Sequence, residues 1–351
     1  MSTYDAIDVH THVVPRDFPP YRGLRAGVRW PSMVEGQPCH RHVMLDGAVY
    51  RTVSHQCWDA EVRSADMERM GLGMQVLSPM PELLSYWLEG DDGQALARYI
   101  NESIATLVQA APRRFAGLGT VPLQDVECAI EELDILLHQF GLAGVELGSN
   151  VQGVPIGDAR FLPFFQAAER WGAAVFVHAL RPCGMERLVG PPVLEQALAF
   201  PGEVGLAAAS MITGGTLAAC PDLRIAFSHG GGTLGLLVPR LRHAWKSFPM
   251  LTQAIALDPL DAVRRMYYDT LVYDEATLGY LLATFGAERL LLGSDYPFAI
   301  MDADPVARLT ALPEPVREAV RHHNARRWLY GTSMPAAATH SLQNPQDGDA
   351  P

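Results

Sequence analysis

The chain has 351 residues, 48% hydrophobic and 19% charged, with a formal net charge of −12. This composition excludes disorder over the bulk of the chain, the acidic balance argues against a basic nucleic-acid face, and no run of about 18 apolar residues offers a membrane span. Of 27 cationic residues, 26 are Arg and one, Lys246, is Lys. The first eight residues contain two acids and no basic segment, unlike a secretory leader. Five cysteines at scattered spacings, with no CxxC pair, read as reduced thiols. The expected location is therefore cytoplasmic.

Short apolar runs alternate with amphipathic stretches along the chain. The first run, 6–9, leads into Asp8-Val9-His10-Thr11-His12. Residues 14–58 are rich in Pro, Gly, Arg and aromatics. Their apolar runs 43–45 and 48–50 flank Asp46-Gly47, which predicts a small β-hairpin insertion over the mouth of the fold. A helix is predicted near 60–70. Strands follow at 75–78, 115–121, 144–147, 174–178, 224–228, 266–268 and 290–293. Helical patterns near 91–111, 124–139, 160–171, 192–219, 233–246 and 274–285 separate them, and another follows at 304–329. Short buried strands alternating with helices imply parallel pairing, and eight such units predict an α/β fold, a (β/α)8 TIM barrel. The expected organisation is one barrel over residues 1–331, with an insertion at about 14–58 and a flexible tail at 332–351.

The chemistry-bearing residues lie at predicted strand ends. Alternate strand residues point the same way, so His10 and His12 both face the barrel mouth and can grip one metal ion. Alone, an HxH triplet also fits two polar loop histidines. His178 closes the fifth run and joins the same ring. Asp295 follows the eighth run, where a carboxylate is costly unless paired, capped or metal-bound; the open choice is ligand or helix cap. His229, before Gly230-Gly231-Gly232, suits an acid/base role because imidazole titrates nearest neutrality. The alternative is an incidental His in a glycine-rich turn.

Together, Asp8-Val9-His10-Thr11-His12, His178, His229-Gly230-Gly231-Gly232 and Gly293-Ser294-Asp295-Tyr296-Pro297-Phe298 resemble the amidohydrolase superfamily. Within it they resemble the metal-dependent decarboxylases typified by 2-amino-3-carboxymuconate-6-semialdehyde decarboxylase. The resemblance runs from about residue 4 to 331 and includes Gln56-Cys57-Trp58-Asp59 and Val121-Pro122-Leu123-Gln124-Asp125. It implies that His10, His12, His178 and Asp295 bind one divalent metal, usually zinc, and that His229 activates metal-bound water. It also implies that Arg51 holds a substrate carboxylate and that Arg240 does so from the neighbouring subunit of a homodimer. Many members of the superfamily bridge two metals with a carboxylated lysine at the end of strand four. Here that strand reads Gly144-Val145-Glu146-Leu147-Gly148, and Lys246 lies far along the chain. A single metal is expected, with Glu146 an ordinary polar barrel residue. The loop after His178 lacks the family's tryptophan; either Met185 or Leu188 replaces it, or the pocket fits another ligand.

The leading reading is non-oxidative decarboxylation of a carboxymuconate semialdehyde, a small anionic substrate, with no nucleic-acid or membrane partner. The alternatives are decarboxylation of an aromatic hydroxy acid, hydrolysis or hydration of a lactone or unsaturated dicarboxylate, and a non-enzymatic metal- or anion-binding barrel.

Overall fold

Strands buried on both faces must be covered on both sides, and the eight predicted runs are used in that way. The computed structural model describes residues 5–331, and the expected tail at 332–351 lies outside the described residues. β1 (Ala6–Val13) is followed by three insertion strands, β2 (Ser32–Glu35), β3 (His40–Leu45) and β4 (Ala48–Ser54). Then come β5 (Leu72–Pro79), β6 (Phe115–Gly119), β7 (Gly144–Gly148), the two-residue partners β8 (Asn150–Val151) and β9 (Val154–Pro155), β10 (Ala174–His178), β11 (Arg224–Phe227), β12 (Tyr267–Asp269) and β13 (Leu290–Leu291). Eight of them form one parallel sheet in the order β1-β5-β6-β7-β10-β11-β12-β13. Hydrogen bonds from Val9 N to Leu292 O, Asp295 N to His10 O and His12 N to Tyr296 O bring the last strand back to the first. The expected (β/α)8 barrel is what forms.

The helices are α1 (Ala60–Arg69), α2 (Gly90–Ala110), α3 (Val126–His138), α4 (Leu162–Trp171), α5 (Phe200–Thr213), α6 (Thr216–Ala219) and α7 (Leu234–Ser247), followed by Glu275–Phe285 and several short segments, the last Asn324–Tyr330. Asp59 and Asp125 start α1 and α3 by accepting from orphan N–H groups of the first turn. Two expected long helices are broken. The 192–219 stretch divides at Gly215, whose φ of +85° is left-handed, and the 304–329 stretch breaks at Leu312-Pro313, ahead of the helix that starts at Glu314.

Two apolar layers follow from the period-two alternation of the strands. Ile7, Val9, Val76, Leu118, Phe176, Ala226, Tyr267 and Leu291 fill the barrel interior with Trp328 of the last helix. Val145, Leu147, Val175, Val177, Phe227 and Tyr268 face the helices. The insertion contains the expected hairpin, β3–β4, but is a three-stranded antiparallel sheet because β2 pairs with β3. Ser32-Met33-Val34-Glu35 lacks the alternation that would have revealed it.

Candidate metal centre and active site

β1 does not alternate regularly. Ile7 and Val9 belong to the interior cluster, yet the His10 ring also turns inward, 5.1 Å from Phe176. The reason is a register shift: Asp8 pairs with Gln75 but Thr11 pairs with Leu77, so β1 carries one extra residue there. Such a bulge re-aims the side chains that follow. It turns His10 and His12 to the mouth, while Thr11 points outward to donate to Val76 O at 2.7 Å. Regular alternation continuing from Ile7 and Val9 would instead turn Thr11 inward and both histidines away.

His178 ends β10, and Asp295 follows β13 with a φ of +65°. Single ligand atoms of His10, His12, His178 and Asp295 lie within 4.8 Å of one another, and all four residues are buried. Each histidine engages Nδ1 away from that centre. His10 Nδ1 lies 2.7 Å from Asp269 Oδ2, His12 Nδ1 3.1 Å from Pro79 O, and His178 Nδ1 2.8 Å from Ala179 O. These acceptors select the tautomer protonated at Nδ1, leaving the Nε2 lone pairs to converge. His10 Nε2 is 3.2 Å from His12 Nε2, and Asp295 Oδ1 is 3.0 Å from His12 Nε2. Asp295 Oδ1 is buried without a hydrogen-bond donor. Acceptors converging so closely need a cation between them, and three imidazole nitrogens with one carboxylate suit a divalent transition metal. The electrostatics agree. Burial would raise the Asp295 carboxyl, but the surrounding imidazoles hold it well below the usual carboxylate range.

His229 stands beside this group without joining it. Its ring centroid is 5.0 Å from that of His178 and 5.4 Å from that of His10. Burial is the main cause that lowers its pKa, to about 4, which favours the neutral imidazole. Its backbone is left-handed, with φ of +54°. Glycines follow because the chain passes too close for side chains: a Cβ on Gly232 would lie 1.9 Å from Pro201 O.

Asp269, which ends β12, organises both halves of the site. Its Oδ2 accepts from His10 Nδ1 and from His229 N at 3.0 Å; its Oδ1 accepts from Gly230 N at 2.8 Å and Leu271 N at 3.1 Å. The sequence analysis missed this residue, although the signal used for Asp295, a carboxylate closing an apolar strand, was present. Arg63 was also missed. Fully buried on α1, it donates to His12 O at 2.8 Å, Thr11 Oγ1 at 2.9 Å and Gln56 O at 3.0 Å. No local pattern distinguishes it from a surface helix arginine.

Arg51 projects from β4 into a cavity of about 520 Å³ that also reaches His178, His229 and Asp295. Its guanidinium lies 4.3 Å from the Phe298 ring centroid, and that ring stacks on His12 at 5.1 Å. Arg240 is exposed on α7 and does not line this cavity. Met185 and Leu188 do not line it either. Gln196, Ala197 and Phe200, from the helical segment leading into α5, stand there instead. Glu146 is buried with neither oxygen hydrogen-bonded, and burial pushes it up to about 7. It faces His12 Nδ1 at 3.9 Å, away from Nε2, and is outside the converging set.

An amidohydrolase family model matches residues 7–331. The chain belongs to the amidohydrolase family. It is 34% identical over 310 residues to the 2-amino-3-carboxymuconate-6-semialdehyde decarboxylase of Dictyostelium discoideum, covering 88% of this chain and 86% of the relative. The Caenorhabditis elegans enzyme of that name is 28% identical, covering 84% of this chain and 86% of its own. The crystal structure of 5-carboxyvanillate decarboxylase from Sphingomonas paucimobilis superposes with a TM-score of 0.71 at 28% identity, covering 76% of this chain and 82% of that one. Among amidohydrolases, this chain groups with the carboxy-lyases. No helix among the described residues is long and apolar enough to cross a membrane.

Proposed function

We propose that this amidohydrolase removes CO₂, without oxidation, from a carboxymuconate semialdehyde or a closely related dienoic or aromatic acid. The observation that carries the reading is His229 standing beside, but outside, the buried His10, His12, His178 and Asp295 group, in a cavity that Arg51 enters. These four residues would hold one divalent ion, zinc by the donor set, which supplies Lewis-acid stabilisation of negative charge on a substrate oxygen.

The chain's own groups do the rest. Arg51 binds a substrate carboxylate by charge-assisted hydrogen bonds. The apolar wall of Pro81, Phe200, Leu271, Val272 and Phe298 excludes water from the scissile bond. His229 takes up a solvent proton, one for each carboxylate lost, and delivers it to the carbon that loses its carboxylate. That carbon–carbon bond breaks, its electron pair is captured by the proton, and CO₂ departs. Charge and atoms balance without an oxidant or organic cofactor.

The test pairs metal analysis with an absorbance assay on 2-amino-3-carboxymuconate-6-semialdehyde. One equivalent of metal per chain and CO₂ release without net water uptake are expected. Chelation should abolish turnover and zinc should restore it. Substrate hydrolysis or hydration without CO₂ would overturn the reading in favour of a hydrolase.

We further propose that Arg240 completes the site of a second subunit. In support, Leu236 and Leu237 share its exposed helix face, and Phe248 and Met250 extend the apolar surface. Mixing inactive Arg240→Ala with inactive His229→Asn protein should restore part of the activity through hybrid dimers. No recovery after verified subunit exchange would exclude a shared site.

A further inference from the structure

The cavity next to the metal-ligand group is mainly apolar, but two of its lining residues outside that group and His229 carry charge, Arg51 and Glu82. They come from separate elements. Arg51 comes from the inserted sheet, and Glu82 from the tight turn Pro81–Leu84 that follows β5. That turn is firmly held. Pro81, Leu83 and Leu84 are buried, and Leu83 N donates to Met80 O at 2.8 Å. Glu82 is the one residue of the turn that is not buried, and it faces the cavity.

Its surroundings leave acceptor capacity free. The Tyr50 hydroxyl lies beside its carboxylate, and Glu195 is a like charge nearby. Arg181 feels the Glu82 charge, but its guanidinium lies on the Trp87 ring, 4.5 Å from the centroid. A carboxylate offers about four acceptor sites and no donor. The Tyr50 hydroxyl can satisfy one of these sites. A molecule filling the cavity strips water from the remaining sites.

We infer that Glu82 is a specificity-determining residue, selecting substrates that offer an amino or hydroxyl donor to it while Arg51 holds a carboxylate. The inference rests on the reading of this cavity as the substrate site. A second carboxylate placed at Glu82 is repelled. An isostere with a methyl group there leaves a desolvated carboxylate unpaired, which discriminates far more strongly than a missing apolar contact. Gln196, on the same cavity, can donate or accept and so does not impose this choice.

The test is a binding titration of metal-loaded protein with benzene-1,3-dicarboxylates bearing amino, hydroxyl or methyl at the 4- or 5-position. Wild type should bind the best amino or hydroxyl probe at least about tenfold more tightly than its methyl isostere. Glu82→Leu should abolish or invert that ratio, and Glu82→Gln should retain part of the hydroxyl preference. Circular dichroism and metal content identify variants that remain folded. A wild-type preference for methyl at both positions, or a ratio unchanged in Glu82→Leu, would overturn the inference. An enzyme that releases CO₂ while no probe competes with its substrate would also overturn it. Failure to release CO₂ from any carboxylated substrate would overturn the decarboxylase reading separately, with the wild-type to Glu82→Leu ratio still judging Glu82.

Discussion

Replacing His229 by asparagine is expected to lower kcat by roughly 10²- to 10⁴-fold, the usual contribution of a positioned acid/base group, and to leave one metal per chain. Asparagine is the informative replacement because residue 229 has a φ of +54°. Asparagine tolerates the left-handed region, whereas alanine there adds backbone strain to the loss of the imidazole. The two readouts separate the possible roles. His229 is outside the four residues whose ligand atoms converge, so the metal should remain while turnover falls. A variant that loses metal would make His229 a ligand; a variant with unchanged kcat would remove it from proton transfer.

Asp269→Asn is expected to be nearly as damaging, although Asp269 is expected to touch neither metal nor substrate. Its two oxygens receive four donors: His10 Nδ1 and His229 N on one, Gly230 N and Leu271 N on the other. An amide in this place turns one acceptor into a donor, whichever way it is oriented. If its NH₂ faces His10, that ring loses the acceptor that keeps Nδ1 protonated, and its Nε2 lone pair is no longer presented to the centre. If the NH₂ faces Gly230 and Leu271, two buried N–H groups lose their partner at about 1–3 kcal/mol each. Metal affinity should fall by 10- to 100-fold or more, as for other carboxylates behind metal-binding histidines. Thermal unfolding of the metal-free protein should also move to lower temperature. Metal affinity and stability equal to wild type would show that Asp269 has no part in setting the site.

The candidate site was legible in the sequence to the extent that its residues sit at the ends of apolar runs. His10, His12, His178, His229 and Asp295 all do, and a buried strand leaves few alternatives to the rim for a polar side chain. Asp269 satisfies the same rule but was masked by the absence of a recognisable motif around it. Glu82, Gln196 and Phe200 carry no such mark. They reach the cavity from a short turn and from the helical segment that runs into α5, whose placement depends on contacts with the rest of the chain. The loss of Met185 and Leu188 as pocket residues has that cause. Their distance from His178 in sequence is short, but the loop carries them elsewhere.

By itself, the sequence determined the number and parallel pairing of the barrel strands, because burial on both faces leaves an unbroken apolar run that any tertiary environment must cover. It also determined that no lysine stands at the fourth strand, where Gly144–Gly148 offers Glu146 instead. Only the tertiary structure decided how these parts face one another. The extra residue in β1 that turns His10 inward is visible only against the register of β5. The carboxylate that binds His10 comes from 259 residues away. Strand periodicity is a local property of the backbone, whereas a bulge, a tautomer and a shared carboxylate are settled by partners that meet only when the barrel closes.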